Sequence, residues 1–236
     1  MDWQLKPARD HELGPRAKLT SLKRESGLLS LFGHWCWRWL TRLYLRLFHR
    51  FTVRGAENLP HPPFVLVANH SSHLDILALT AALPTRYLGS VHPIAAEDHF
   101  FASFAGSLFA SLALNALPLK RKAARGKDLA LLRERLVDDR LIYVLFPEGT
   151  RSRDGRMAPF KAGIGTLLAG SSAAIVPCYI EGAFAALPPQ RHWPRPGRIG
   201  LVIGQPISAA DCANDREGWI DAAGRCEAAV RRLGEV

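Results

Sequence analysis

An α/β domain with a mainly parallel central sheet flanked by helices is the fold this sequence predicts, on three observations. Two short apolar runs, Phe64–Ala68 (FVLVA) and Leu141–Phe146 (LIYVLF), read as strands buried on both faces. Helix-like segments, Leu74–Ala82 and Lys127–Asp138, follow the first run and precede the second. The alternation continues to the end of the chain, as crossover connections between parallel strands require. With 236 residues, 48% of them apolar, one such domain can bury a full core without disulfides or metals.

Taken in order, residues 1–27 are polar and basic and lack the apolar core of a signal peptide. Residues 28–50 form the clearest helix. At about 100° per residue, Arg38, Arg42, Arg46 and Arg50 fall on one drifting stripe, opposite Leu40, Leu43, Tyr44, Leu47 and Phe48, with Trp35 and Trp39 beside the stripe. The arginines interrupt the run too often for a transmembrane span. The pattern instead suits a helix lying in a membrane interface, its arginines at lipid phosphates and its indoles at the boundary; an amphipathic helix docked on its own domain is the alternative. Residues 1–50 are thus read as a basic segment with an interfacial helix, and 51–236 as the globular domain. Beyond it come a weak strand at Arg86–Val91, a helix at Asp98–Leu112 and a short strand at Ala116–Leu119. A helix at Lys161–Gly170, strands at Ala174–Ile180 and Ile199–Ile203, and a closing helix at Asp215–Leu233 complete the order, with a proline-rich loop at Leu187–Arg198.

The net charge of +10 implies an anionic partner: nucleic acid, membrane lipid or a phosphate-bearing substrate. Cys36, Cys178, Cys212 and Cys226 show no C-x-x-C spacing, so no metal site is expected, and they read as free thiols in a reducing compartment. The chain lacks a P-loop and an aromatic RNA-binding signature, which argues against a nucleic-acid module. It also lacks the G-x-S-x-G elbow that would supply a serine nucleophile.

Two segments carry chemistry. The first, Asn69-His70-Ser71-Ser72-His73-Leu74-Asp75, leaves a strand and opens a helix, where α/β sheets bind ligands. One helical turn can return the Asp75 carboxylate to the His70 imidazole, fixing its tautomer and leaving the other ring nitrogen free to take a proton. Ser72 and Asp75 also fit a capping box, which would by itself account for Asp75. His73, two residues from Asp75, points to another face of the helix. The second segment, Phe146-Pro147-Glu148-Gly149-Thr150-Arg151-Ser152, follows the strongest strand. Its backbone N–H groups, its Thr150 and Ser152 hydroxyls and the Arg151 guanidinium can converge on a phosphate. Glu148 can orient Arg151 or accept a hydroxyl proton, and Gly149 permits the tight turn. Lys120, Arg121, Lys122 and Lys161 are further cations that either join the site or stay solvated.

Together these segments resemble the lysophosphatidic acid acyltransferase (1-acylglycerol-3-phosphate acyltransferase) family over roughly residues 50–207. Residues 69–75 match its N-H-x-x-x-x-D block, and residues 146–152 match F-P-E-G-T-R-S without a departure. Phe160-Lys161-x-Gly163 and Ile175-Val176-Pro177 also agree. The resemblance implies that His70 is a general base oriented by Asp75. It implies that Glu148, Gly149, Thr150 and Arg151 bind the acceptor, Arg151 near its phosphate, with Arg121 or Lys161 in support. In the second block Asn115 stands where Gly is usual and Lys120 where Asp is frequent.

The activity so implied is transfer of a fatty acyl group from an acyl thioester, acyl-CoA or acyl-ACP, to a free hydroxyl of a phosphate-bearing lysolipid. The default acceptor is 1-acyl-sn-glycerol-3-phosphate; another lysophospholipid, a lyso-aminolipid or glycerol-3-phosphate is the alternative. No cofactor beyond the co-substrate is expected, and the expected location is the cytoplasmic face of the inner membrane. A thioesterase using the same pair on water, and a non-catalytic lipid-binding module, are the rivals; added acceptor lipid separates the first from a transferase by its diacyl product.

Overall fold

A computed structural model describes residues 7–97, 101–119 and 126–235. The helices are α1 (Pro15–Leu19), α2 (Leu28–His49), α3 (Leu74–Ala82), α4 (Phe104–Leu112), α5 (Gly126–Asp138), α6 (Gly165–Leu168), α7 (Ala183–Ala186) and α8 (Arg216–Gly234). The strands are β1 (Thr52–Arg54), β2 (Phe64–Ala68), β3 (Val91–Ala96), β4 (Leu117–Leu119), β5 (Ile142–Leu145), β6 (Ala174–Glu181) and β7 (Gly200–Ile203). They form one sheet in the order β1-β7-β6-β2-β5-β3-β4. Only the β6–β7 pair is antiparallel among the described residues.

The run FVLVA forms β2 at the sheet's centre, and all five of its residues are buried. Side chains alternate across the sheet, and so divide the core. Phe64, Leu66, Ile142 and Val144 face α3, with Leu74, Ala78 and Leu79. Val65, Val67, Tyr143 and Ile175 face α5, α6 and α8, with Leu132, Leu136, Leu168, Cys226 and Val230. The four cysteines are free thiols.

Several elements differ from the sequence reading. The weak strand expected at Arg86–Val91 lies later, at Val91–Ala96, and Thr85–Tyr87 is a 3-10 turn. Pro93, which has no N–H to donate, sits where β3 changes partner: Val91 to Pro93 lie beside β5, and Ile94 to Ala96 beside β4. The segment read as a helix from Lys161 is a 3-10 turn (Ala162–Ile164) followed by α6. The helix expected at Asp98–Leu112 is described from Phe104, since residues 98–100 lie outside the described ones. Thr52–Arg54 had not been read as a strand.

The interfacial reading of α2 needs a correction in orientation. The arginine stripe does not all face outward. Arg38 is buried and Arg42 half-buried, with His34, Thr41, Leu45 and His49 on the same inner face. Their guanidiniums satisfy carbonyls at the C-terminus of α3: Arg38 Nη2 donates to Leu83 O and Pro84 O, Arg42 Nε to Ala81 O at 2.7 Å and Arg42 Nη2 to Leu83 O. A helix C-terminus leaves such acceptors open and favours cations. Only Arg46 and Arg50 of the stripe are exposed. The outer face is apolar, with Leu28, Leu29, Phe32, Leu40 and Leu47 all exposed. Among the described residues no helix is long and apolar enough to cross a membrane.

Candidate active site

The register of β2 and β5 assembles the site. Val67 lies beside Leu145 in a parallel pair. Three residues further on, the two strands deliver His70 and Glu148 to the same sheet edge, and the His70 N–H donates to Glu148 Oε1 at 2.6 Å. Nearby, Ser152 N–H donates to His70 O at 2.8 Å. Asn69 anchors the same loop on the far side, accepting from Ile180 N–H at 2.8 Å and donating to Ile180 O at 2.9 Å. Its role was not read from the sequence; its place beside His70 was the available signal.

His70 Nδ1 lies 2.9 Å from Asp75 Oδ2. The same oxygen accepts the N–H groups of Ser71 at 2.6 Å and Ser72 at 2.8 Å. An oxygen that takes two main-chain N–H groups is acting as an acceptor, so the imidazole is the donor and its proton sits on Nδ1. Nε2 is left with a lone pair and no hydrogen-bond partner among the described residues. The capping role and the orienting role proposed for Asp75 are therefore filled by one atom. Asp75 is fully buried, and the His70 ring is stacked on Phe146 with centroids 4.1 Å apart. His73 is exposed, at the rim of the same cavity that His70 lines.

That cavity has a volume of about 330 Å³. His70, His73, Gly149, Thr150 and Arg151 give it polar wall, and Ile94, Leu114, Ala116, Leu119, Leu145 and Phe146 give it apolar wall. Arg151 forms no ion pair among the described residues; burial lowers its affinity for the proton, and the Asp75 charge opposes this. Gly149 adopts φ 74, and a Cβ there would stand 2.7 Å from Lys161 Nζ, so the Lys161 ammonium is held over this turn. Lys161 N–H donates to Pro147 O at 3.0 Å.

Glu148 behaves differently from the acceptor ligand expected. It is buried behind the cavity wall, and its other oxygen accepts Ala158 N–H at 2.9 Å. Burial raises its carboxyl above the ordinary range, and the two N–H bonds oppose that. Ser152 is turned away as well, donating from Oγ to Asp154 Oδ1 at 2.9 Å. Arg121, with Lys120 and Lys122, lies outside the described residues. Asn115 adopts φ 53, the left-handed conformation that Gly favours and Asn tolerates, which explains how it stands at a Gly position.

A sequence model described as Acyltransferase matches residues 50–181. A chloroplastic 1-acyl-sn-glycerol-3-phosphate acyltransferase of Brassica napus is 31% identical over 190 residues, covering 78% of this chain and 53% of that protein. The alpha 1-acyl-sn-glycerol-3-phosphate acyltransferase of Mus musculus is 30% identical over 169 residues, covering 70% and 58%. The chain thus spans about half the length of these curated relatives. The crystal structure of the 1-acyl-sn-glycerophosphate acyltransferase PlsC from Thermotoga maritima superposes with a TM-score of 0.64 at 26% identity, covering 88% of this chain and 77% of that one. With more than half its length matched, and both signature segments meeting at one sheet edge, this chain belongs to the acyltransferase family.

Proposed function

We propose that this protein transfers a fatty acyl group from an acyl thioester to the free hydroxyl of a phosphate-bearing lysolipid, 1-acyl-sn-glycerol-3-phosphate by default. The carrying observation is the His70–Asp75 pair, with its unpartnered Nε2, in one cavity with Arg151. His70 Nε2 takes the hydroxyl proton as the oxygen attacks the thioester carbonyl carbon. The resulting oxyanion collapses, the C–S bond breaks, and the thiolate leaves with the proton from the imidazolium. Asp75 stabilises the imidazolium between the two steps. The N–H groups of Thr150 and Arg151, which have no acceptor among the described residues, are candidate donors to the oxyanion. Arg151, with Lys161 nearby, meets the acceptor phosphate, and the apolar wall suits an acyl chain. Glu148 fixes the His70 main chain rather than touching the acceptor.

The apolar outer face of α2 supports docking on a membrane surface. The helix α4 extends it: Trp37 packs edge-on against Phe109 at 5.0 Å, and Phe104, Leu108 and Phe109 are exposed beside it. The reading is peripheral or monotopic, on the cytoplasmic face of the inner membrane, with acyl-CoA or acyl-ACP as donor.

The test is acyl transfer by the whole chain in lipid vesicles, across lysophosphatidic acid, other lysophospholipids, a lyso-aminolipid and glycerol-3-phosphate, with product detected by mass. Diacyl product from lysophosphatidic acid, lost in His70→Ala, supports the reading. Free fatty acid as the sole product sinks it in favour of a thioesterase.

A further inference from the structure

A second cavity, of about 270 Å³, lies against α2, lined by Trp35, Arg38, Trp39, Arg42, Thr85 and Leu88. Nothing in the transfer chemistry uses it. Both guanidiniums reach the carbonyls that end α3. Those carbonyls carry about half a negative charge between them, so two full cations exceed what the cap requires. No carboxylate pairs with either arginine among the described residues. Arg38 is buried, and its Nε and Nη1 have no partner among them. The bonds of Arg42 use Nε and Nη2 and leave Nη1. Burial, followed by repulsion from Arg42, pulls the Arg38 guanidinium down to about 10. Burying cations without a counter-charge is costly, and an anion in the cavity that both arginines line would offset their charge.

The surroundings indicate what kind of anion. Trp35 and Trp39 flank the opening and are 46% and 56% exposed, continuous with exposed Phe32 and Leu40. Exposed indoles beside an apolar face sit at the level of lipid head groups. We propose that this cavity holds the phosphate of an anionic phospholipid that is not a substrate, gripped by Arg38 and Arg42 between the two indoles. It stands at the end of α3 opposite the His70–Asp75 pair, about 13 Å away along nine residues of helix. The lipid source rests on the reading that the face of α2 meets the bilayer; the anion site itself does not.

Two variants test the site by different routes. Arg42→Gln removes the charge and keeps an amide to bond the α3 carbonyls. Thr85→Glu, at an exposed position on the rim, supplies an internal carboxylate that competes for the arginines. Arg232→Gln, at an exposed position on α8, makes the same change in net charge elsewhere. Thermal unfolding establishes that each variant is folded. Binding is measured to vesicles of phosphatidylcholine alone, to the same vesicles doped with phosphatidylglycerol, and, by calorimetry, to soluble dihexanoyl-phosphatidylglycerol and inorganic phosphate. The wild type is expected to prefer the doped vesicles. Arg42→Gln and Thr85→Glu should lose about tenfold of that preference, the worth of a charge-assisted bond, and lose dihexanoyl-phosphatidylglycerol binding. Arg232→Gln should keep both. Unchanged preference in folded Arg42→Gln and Thr85→Glu overturns the site, and inorganic phosphate binding as tightly as the short-chain lipid overturns the lipid assignment. Failure of the wild type on all vesicles, with variant-sensitive binding of the short-chain lipid, sinks the docking reading and leaves the cavity's anion specificity standing.

Discussion

The main-chain N–H of His70 donates to Glu148 Oε1 across 2.6 Å, so the first signature segment is fastened to the second through backbone. Glu148 is buried behind the cavity wall, and its Oε2 accepts Ala158 N–H. Glu148→Gln turns one acceptor into a donor facing an N–H. We expect a loss of about 2 kcal/mol in stability from the unmet buried group, and a fall in kcat of tenfold or more as His70 shifts. The acceptor KM should hardly move. Steady-state kinetics on vesicles decides it: a raised KM at constant kcat would make Glu148 an acceptor ligand after all.

Asp75→Asn removes the charge from that oxygen and leaves an acceptor in its place. The amide oxygen can still accept Ser71 and Ser72 N–H, so the turn and the fold should survive. That same oxygen still accepts from His70 Nδ1–H, so the tautomer is kept and what is lost is the negative charge that stabilises the imidazolium. Activity should fall by about 100-fold, the worth of a charge-assisted bond to the imidazolium. Retention of a tenth of the activity in a folded variant would mean that Asp75 only caps α3.

Arg151→Ala is expected to raise the KM for a phosphate-bearing acceptor by about 10- to 100-fold, the worth of one charge-assisted contact. Transfer to a monoacylglycerol, which lacks the phosphate, should be nearly unaffected. An equal loss on both acceptors would place Arg151 at the reacting carbonyl instead.

Two histidines outside the active site should set the acid limit of the fold. Burial, then the Arg38 and Arg24 charges, lower His34 to about 4; burial, Arg24, Arg135 and His34 lower His92 to about 3, against an opposing bond from Asn115. Both are buried neutral and titrate near 6.5 once unfolded. The unfolded chain therefore binds more protons between these values, and stability falls as pH drops from about 6.5 towards 4. At pH 5 each histidine should cost about 2 kcal/mol relative to pH 8. Denaturant midpoints at the two pH values, compared between wild type and His34→Gln, check this. A variant with the same acid loss as wild type would exclude His34.

Much of this arrangement was legible in the residues. FVLVA and LIYVLF are uncharged because both faces of β2 and β5 are buried, and a buried strand has to look like that. The short interval from His70 to Asp75 was enough to foresee their contact. The three residues of β1 are too few to carry a period, and β3 lies later than the weak strand expected at Arg86–Val91, with Pro93 at the point where its pairing changes. The orientation of α2 was illegible for a deeper reason. An arginine every four residues looks like a solvated stripe, and the acceptors that bury Arg38 and Arg42 are carbonyls, which no side-chain pattern displays. The place of Glu148 behind the wall is hidden in the sequence for the same cause: its partners are two N–H groups.

Because Arg38 and Arg42 of α2 are bonded to the last carbonyls of α3, and α3 begins at Asp75 and its neighbours, α2 and the His70 imidazole are joined through nine residues of helix. If α2 docks on a bilayer as proposed, the depth to which it settles sets the height of His70 above the glycerol backbone. Lengthening α3 by one turn would then change the offset between α2 and the imidazole by about 5 Å, which transfer to a vesicle-held acceptor would register and transfer to a soluble short-chain acceptor would not.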